Sequence, residues 1–234
     1  MRRLISVSTG CFYKLGVSKE EIFGRLKALD IDGVEVLFNK PQDVFDFEIS
    51  EDNSDFLRSL SFVTIHAPDN DLENPVAIEV LNRLDHIYRL IYAKNIVFHV
   101  RKDDDLSIFF DYGFKASMEN DDWRKEKETN TVPGIERLLR IYPRLGFVLD
   151  VGHADSVDPA DAEKYADRFK DRITEIHLSR VDKEKREHDF MNRHRESLNK
   201  KVFETTRAPI IIEGTLQNED MSALEREIEL ARKL

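Results

Sequence analysis

The chain is short of the residues that build covalent cross-links, linkers or membrane spans. It carries one cysteine, Cys11, so no disulfide can close within it and no zinc site of four thiolates can form. Glutamine occurs only at Gln42 and Gln217. Scarce Gln beside abundant Lys, Arg and Glu is a heat-adapted composition, which bears on habitat rather than chemistry. Long hydrophobic runs are missing too. Leu4 to Val7, the most apolar stretch near the start, is far too short for a membrane span or the apolar part of a secretory signal. The expected location is therefore cytoplasmic, with no membrane partner. No stretch rich in Pro, Gly or Ser marks a linker, and the expectation is one domain over residues 1–234, within the size range of α/β barrels. The charge balance is acidic, −10 overall. Such a field disfavours non-specific binding to nucleic acid or anionic membrane, though a local basic groove remains compatible with it.

What is present is a regular alternation of short apolar runs with amphipathic stretches. Runs at Leu4–Ser8, Gly33–Phe38, Phe62–His66, Asn95–Val100, Phe114–Glu119, Phe147–Asp150, Ile173–Leu178 and Pro209–Glu213 read as strands. They are nearly continuous in apolar character, as strands buried on both faces must be. Helices are expected at Ser18–Leu29, with Ser18 as N-cap, and at Ser54–Leu60, Asn74–Lys94, Val132–Tyr142, Pro159–Lys170 and Asp220–Leu234. A short helical segment is expected at Asp104–Tyr112, and a charged helix somewhere in Asp189–Thr205. Alternating strands and helices imply a parallel sheet. Eight such units favour a closed (β/α)8 TIM barrel over a doubly wound sheet, and the first strand-to-helix turn has no G-x-G-x-x-G.

Barrel sites form at the carboxyl ends of the strands. There the sequence places His66, His99, Glu119, Asp150 with His153, His177 and Glu213, and Glu35 lies within the second strand. His86 falls mid-helix, and His188 and His194 in the connection after strand seven. One histidine at a strand end is ordinarily a hydrogen-bonded rim residue, but this convergence is a different matter. Several buried carboxylates with few Lys or Arg at the same strand ends would be too costly to hold ionised. A divalent cation supplies the missing charge, and imidazole with carboxylate suits Zn2+ or Mn2+ first, with Mg2+, Co2+ and Fe2+ compatible. Glu35 either lines the mouth or pairs with a neighbouring cation. Arg180 is a further candidate for the mouth within the charged run Arg180–Arg195, whose plainer reading is a solvated face.

The segments Ser117-Met118-Glu119-Asn120, Leu149-Asp150-Val151-Gly152-His153-Ala154, Glu175-Ile176-His177-Leu178 and Pro209-Ile210-Ile211-Ile212-Glu213-Gly214-Thr215 resemble the xylose isomerase-like TIM-barrel superfamily. That group includes sugar isomerases, epimerases and endonuclease IV. The resemblance runs from Leu4 to the last helix. It implies a shared metal site of Glu119, Asp150, His177 and Glu213. In the endonuclease branch it implies a second metal on His66, His99 and Glu119, and a third using His153 and an Asp-x-His pair after strand seven. Here that pair reads Arg186-Glu187-His188, so the aspartate is missing.

Two activities follow from the resemblance. The first is a metal-dependent isomerase or epimerase of a small sugar or sugar phosphate, with Glu119 and Glu213 as catalytic proton carriers through an enediolate and His153 on a substrate oxygen. The second is a phosphodiesterase acting at abasic sites in DNA with two or three metals; His66 and His99 speak for it, and the acidic balance speaks against DNA. A small-molecule substrate is expected in the first case, nucleic acid only in the second. A non-catalytic barrel is the third alternative. Oligomeric state is not legible.

Overall fold

In this computed structural model, residues 2–69, 72, 74–125, 127–184, 187–194 and 198–234 are described. Strands run in the order β1 (Ile5–Ser8), β2 (Gly33–Leu37), β3 (Phe62–His66), β4 (Asn95–Phe98), β5 (Ala116–Glu119), β6 (Gly146–Asp150), β7 (Ile173–Leu178), the short pair β8 (Arg180–Asp182) and β9 (Glu187–Asp189), and β10 (Ile210–Ile212). All but β8 and β9 close into a parallel barrel in the spatial order β1-β10-β7-β6-β5-β4-β3-β2, with β1 pairing to both β10 and β2. The helices are α1 (Lys19–Leu26), α2 (Pro41–Phe45), α3 (Glu51–Ser59), α4 (Val76–Leu90), α5 (Lys127–Asn130), α6 (Val132–Ile141), α7 (Val151–Val157), α8 (Asp161–Phe169), α9 (Lys200–Thr205) and α10 (Ser222–Ala231). None is long and apolar enough to cross a membrane among the described residues. The fold is a (β/α)8 barrel, as the alternation of the sequence requires.

Local chemistry explains the element boundaries. Ser18 caps α1 by accepting the Glu21 amide at 3.2 Å, the expected N-terminal signal. Ser50 does the same for α3 through Asn53, which moves that helix start ahead of the expected Ser54. In α4, buried Ala77, Val80, Leu81, Leu84 and Ile87 repeat at three and four residues, the stripe that a helix lays against a barrel. Glycine at 33 is dictated by a close approach. A Cβ there would fall 1.8 Å from the Phe62 carbonyl oxygen, where β2 and β3 run side by side.

Some connections differ from the sequence reading. The short helical segment expected at Asp104–Tyr112 is a 3-10 helix at Leu106–Asp111. α2 occupies the acidic segment after β2, started by Pro41 at its first turn. α7 follows β6 without a loop, and α8 begins at Asp161 rather than Pro159. The charged connection after β7 opens with an antiparallel hairpin, Arg180 opposite Asp189 and Asp182 opposite Glu187; a 3-10 turn follows at Met191–Arg193, and the expected charged helix is at Lys200–Thr205. Glu227 of α10 holds the end of that connection, accepting the amides of Met191 at 2.9 Å and Asn192 at 2.7 Å.

The barrel interior is unusually polar. Side chains of alternate residues share a strand face, and Ser6, Glu35, Thr64, Asn95, Ser117 and Glu175 are all buried at such positions. Asn95 of β4 donates its amide to Glu175 of β7 at 3.1 Å. Those strands are not neighbours, so the contact crosses the inside of the barrel. This layer lies beneath the mouth.

Candidate metal centre

The residues at the strand ends converge because each barrel strand delivers its last inward side chain to the same rim. Glu119 ends β5, Asp150 ends β6 and His66 ends β3. His177 lies one residue before the end of β7, and Glu213 follows β10 directly. One ligand atom from each of Glu119, Asp150, His177 and Glu213 falls within a group whose members are all within 4.8 Å of one another. Among the described residues four further groups meet the same limit: His66, His99 and Glu119; Asp150, His153 and His188; His66, His177 and Glu213; and Glu35, Glu175 and His177. Glu119 joins the first of these to the central four and Asp150 joins the second, so those three sets adjoin.

Glu119 is the hub. Its Oε2 lies 3.0 Å from His66 Nε2 and 3.6 Å from His99 Nε2. Its Oε1 lies 3.3 Å from His153 Nδ1 and 3.3 Å from His177 Nδ1. His177 Nδ1 is also 3.2 Å from Glu213 Oε1. Asp150 divides its work. Oδ1 accepts the backbone N–H of His153 at 2.7 Å and caps α7, while Oδ2 has no hydrogen-bond partner. Gly152 fits the same motif, because a Cβ there would press on Ser179 at 2.8 Å.

Most of these imidazoles are held from behind. His66 donates Nδ1–H to the Ala67 carbonyl at 3.0 Å. His99 donates Nδ1–H to Asp121 at 2.8 Å, and His153 donates Nδ1–H to the Asn120 carbonyl at 3.0 Å. His188 Nδ1 pairs with Ser179 Oγ at 2.8 Å. With Nδ1 engaged, Nε2 is the nitrogen left to bind a ligand, which is the outer-sphere pattern of metal-binding histidines.

The electrostatics describe a site short of positive charge. Among the described residues, every ion-pair partner of Glu119, Asp150 and Glu213 is a histidine. Burial alone would raise the Glu119 carboxyl, yet the facing His177 and His99, with His153 and His177 nitrogens 3.3 Å from Oε1, hold it well below its ordinary value. Burial opposes a charged His66, but the bond and charge of Glu119 prevail and raise it to about 9. Glu213 is pushed up to about 7 by burial, against the pull of His177. His188 is pushed down to about 4 by burial and by His153. Asp150 Oδ2, Glu213 Oε2 and both ring nitrogens of His177 are buried without a well-formed hydrogen bond, a costly state for polar atoms. Mixed His and carboxylate donors with such orphaned atoms fit a divalent cation.

Three solved structures share the architecture. A xylose isomerase domain containing protein from Salmonella typhimurium LT2 is 17% identical, covering 99% of this chain and 96% of that one, with a TM-score of 0.68. A D-tagatose 3-epimerase-like protein is 17% identical over 98% of each chain, TM-score 0.67. Endonuclease IV from Thermus thermophilus is 15% identical over 100% of this chain and 99% of that one, TM-score 0.65. The fold is the (β/α)8 barrel that these structures share. No family model and no curated protein matches the sequence. The resemblance read from the strand-end motifs is thus borne out at the level of fold.

The mouth cavity of about 300 Å3 is lined by His66, His99, Glu119, His153, His188 and Glu213, among others. Glu35 is fully buried beneath His177. Arg180 is exposed, contacts His194 and lines a separate cavity with Asp155 and Asp182. Arg186 lies outside the described residues. Three contributors escaped the sequence reading. Asp121 holds His99, and Asp69 lines the mouth; an acid two residues past a strand end was the available signal for the first. Asn120 clamps β6, accepting the Asp150 amide and donating to the Asp150 carbonyl, both at 2.9 Å.

Proposed function

We propose that the protein is a metal-dependent phosphoesterase whose substrate is a phosphoester of about nucleotide size. The observation that supports this reading is the sharing of Glu119 and Asp150 among three adjoining donor groups. An isomerase working through one cation has no use for His66 and His99, whereas phosphoester cleavage benefits from charge on both sides of the reacting phosphorus. Zn2+ or Mn2+ would sit on Glu119, Asp150, His177 and Glu213, on His66, His99 and Glu119, and on Asp150, His153 and His188. When bound, such ions stabilise charge on phosphate oxygens and provide a nucleophile at neutral pH. His66, His99 and His153, held by Ala67, Asp121 and Asn120, keep their free nitrogens aimed without reorganisation. A second cavity of about 360 Å3 adjoins the mouth, sharing Asp69, His99, Asp121, Arg124 and Lys125 with it and adding Arg101. These cations orient the phosphate and bring local positive charge to an acidic protein.

Isomerisation of a small sugar is the second reading. It is favoured by Glu119 and Glu213, which flank His177 Nδ1 at 3.3 and 3.2 Å and so could carry a proton to either side of one carbon. Similarity to an epimerase-like protein and to an endonuclease IV supports both chemistries on this fold and does not choose between them.

Elemental analysis of the purified protein tests the proposal, together with His99→Ala and Glu213→Gln. Two or three metals per chain, with about one lost in His99→Ala, are expected, along with cleavage of bis(p-nitrophenyl) phosphate or of duplex DNA with an abasic site. A single metal, indifferent to His99→Ala, with turnover of ketoses and none of phosphoesters, overturns it in favour of the isomerase.

A further inference from the structure

We propose that Glu35 is the positioning residue for His177, fixing which ring nitrogen faces the metal centre; the inference rests on the reading of the mouth as a metal site. His66 and His99 turn Nε2 toward Glu119, and His177 is turned the other way round from them. Its Nδ1 faces Glu119 and Glu213, and its Nε2 points down the barrel to Glu35 Oε2 at 3.3 Å. Glu35 comes from β2 and His177 from β7, which are not neighbours, so the pair spans the barrel interior. Both side chains are fully buried. No lysine or arginine among the described residues pairs with Glu35, and neither of its oxygens has a well-formed hydrogen bond. A carboxylate in that place has one neighbouring N–H to accept, that of His177 Nε2.

Glu175 approaches the same ring and forms a donor group with Glu35 and His177. It is engaged elsewhere. Its Oε1 accepts from Asn95 at 3.1 Å, and Asn95 in turn accepts from Ser117 Oγ at 2.9 Å. Glu35 has the Ser8 hydroxyl beside it but no amide anchor of that kind, and it is the carboxylate that His177 Nε2 faces. A carboxylate behind a ligating imidazole fixes its tautomer and orientation and raises its basicity. Without it the Nε2–H would be buried and unpaired, and the ring free to turn. The other histidines rely on carbonyls, a serine or the Asp121 carboxylate at the rim. His177, belonging to the central four-residue group and the most deeply buried, is the one held from the barrel floor.

The test compares wild type with Glu35→Gln, which preserves volume and packing, and Glu35→Ala. Zn2+ affinity is measured by chelator competition, stoichiometry at saturation by elemental analysis, and the His177 Nε2–H by 1H–15N spectroscopy of the Zn2+-loaded protein. Zn2+ binding is expected to weaken about tenfold in Glu35→Gln and up to about a hundredfold in Glu35→Ala, with the number of ions at saturation unchanged. A slowly exchanging His177 Nε2–H is expected in wild type and lost in Glu35→Ala. Unchanged affinity with that proton retained overturns the assignment, as does the loss of one ion per chain at saturation, which would make Glu35 a direct ligand of a separate cation with Glu175. A wild type that binds no Zn2+ or Mn2+ overturns the metal reading itself, and this inference with it.

Discussion

Asp150 gives one carboxylate oxygen to the backbone of His153, at 2.7 Å, and leaves the other buried without a hydrogen bond. The first oxygen makes α7 start directly from β6, and the second belongs to the candidate metal centre. The two roles are separable. Asp150→Asn keeps an oxygen able to cap α7 and removes the charge. Asp150→Ala removes both, at a cost of about 1 kcal/mol for the lost cap. The expected outcome is that both variants lose metal affinity, but only the alanine variant loses stability in the metal-free state. Thermal melts in chelator beside calorimetric Zn2+ titrations check this. Equal affinity in Asp150→Asn and wild type would exclude Asp150 as a ligand.

Metal removal should be visible in stability, because ligands that bind only the folded state stabilise it. At a hundredfold excess over Kd the gain is about 2.7 kcal/mol per ion, or about 5–10 °C for a chain of this size. Chelator-stripped protein is expected to melt lower by that order than protein with Zn2+ or Mn2+ restored. Glu213→Gln should show most of the shift abolished. A melting curve indifferent to metal in wild type would contradict the site.

Much of this centre could be read from the chain because buried parallel strands are nearly continuous apolar runs, so His66, Glu119, Asp150 and Glu213 stand out where the runs stop. What was not legible depends on contacts distant in sequence. α7 contains Gly152, His153, Asp155 and Ser156, poor helix formers, and it forms because Asp150 caps it and its other side packs into the barrel rim. The β8–β9 hairpin hides in a charged run with no alternation of apolar residues. Glu35 could be placed on its strand from the sequence, but the residue it meets lies on the far side of the barrel. Asn120 was visible in its motif, while its pairing with the backbone of Asp150 required the register of β5 against β6.

Gly33 offers a test of the fold that leaves the mouth untouched. A Cβ at that position would lie 1.8 Å from the Phe62 carbonyl oxygen and 2.3 Å from Ser6 Oγ. The serine can rotate, but the carbonyl belongs to the β2–β3 pairing and cannot move without parting the strands. Gly33→Ala is expected to cost about 3 kcal/mol, lowering Tm by about 6–12 °C. A Tm within about two degrees of wild type, an order-of-magnitude bound on a neutral surface change, would mean that β2 starts elsewhere.

Lys19 carries a pH dependence that is independent of the metal centre. Its ammonium donates to the Leu37 carbonyl at 2.6 Å and lies 5.1 Å from the centre of the Phe38 ring. Burial lowers its pKa from 10.5 to about 8, with Asp43 opposing. The folded state therefore releases this proton before the unfolded chain does. Between about pH 8 and 10.5 the unfolded chain binds more protons, so this residue's contribution to stability rises with pH and is least favourable below pH 8, where both states are charged. The shift corresponds to at most about 3 kcal/mol, and partial exposure of the side chain reduces that to ~1–2 kcal/mol. Lys19→Met removes the titration. Urea unfolding of both proteins at about pH 7.5 and about pH 10 is expected to show the wild type gaining that amount relative to the variant as pH rises. A constant difference between the two proteins, or one that moves the other way, would mean that the Leu37 and Phe38 contacts hold the charge against its burial.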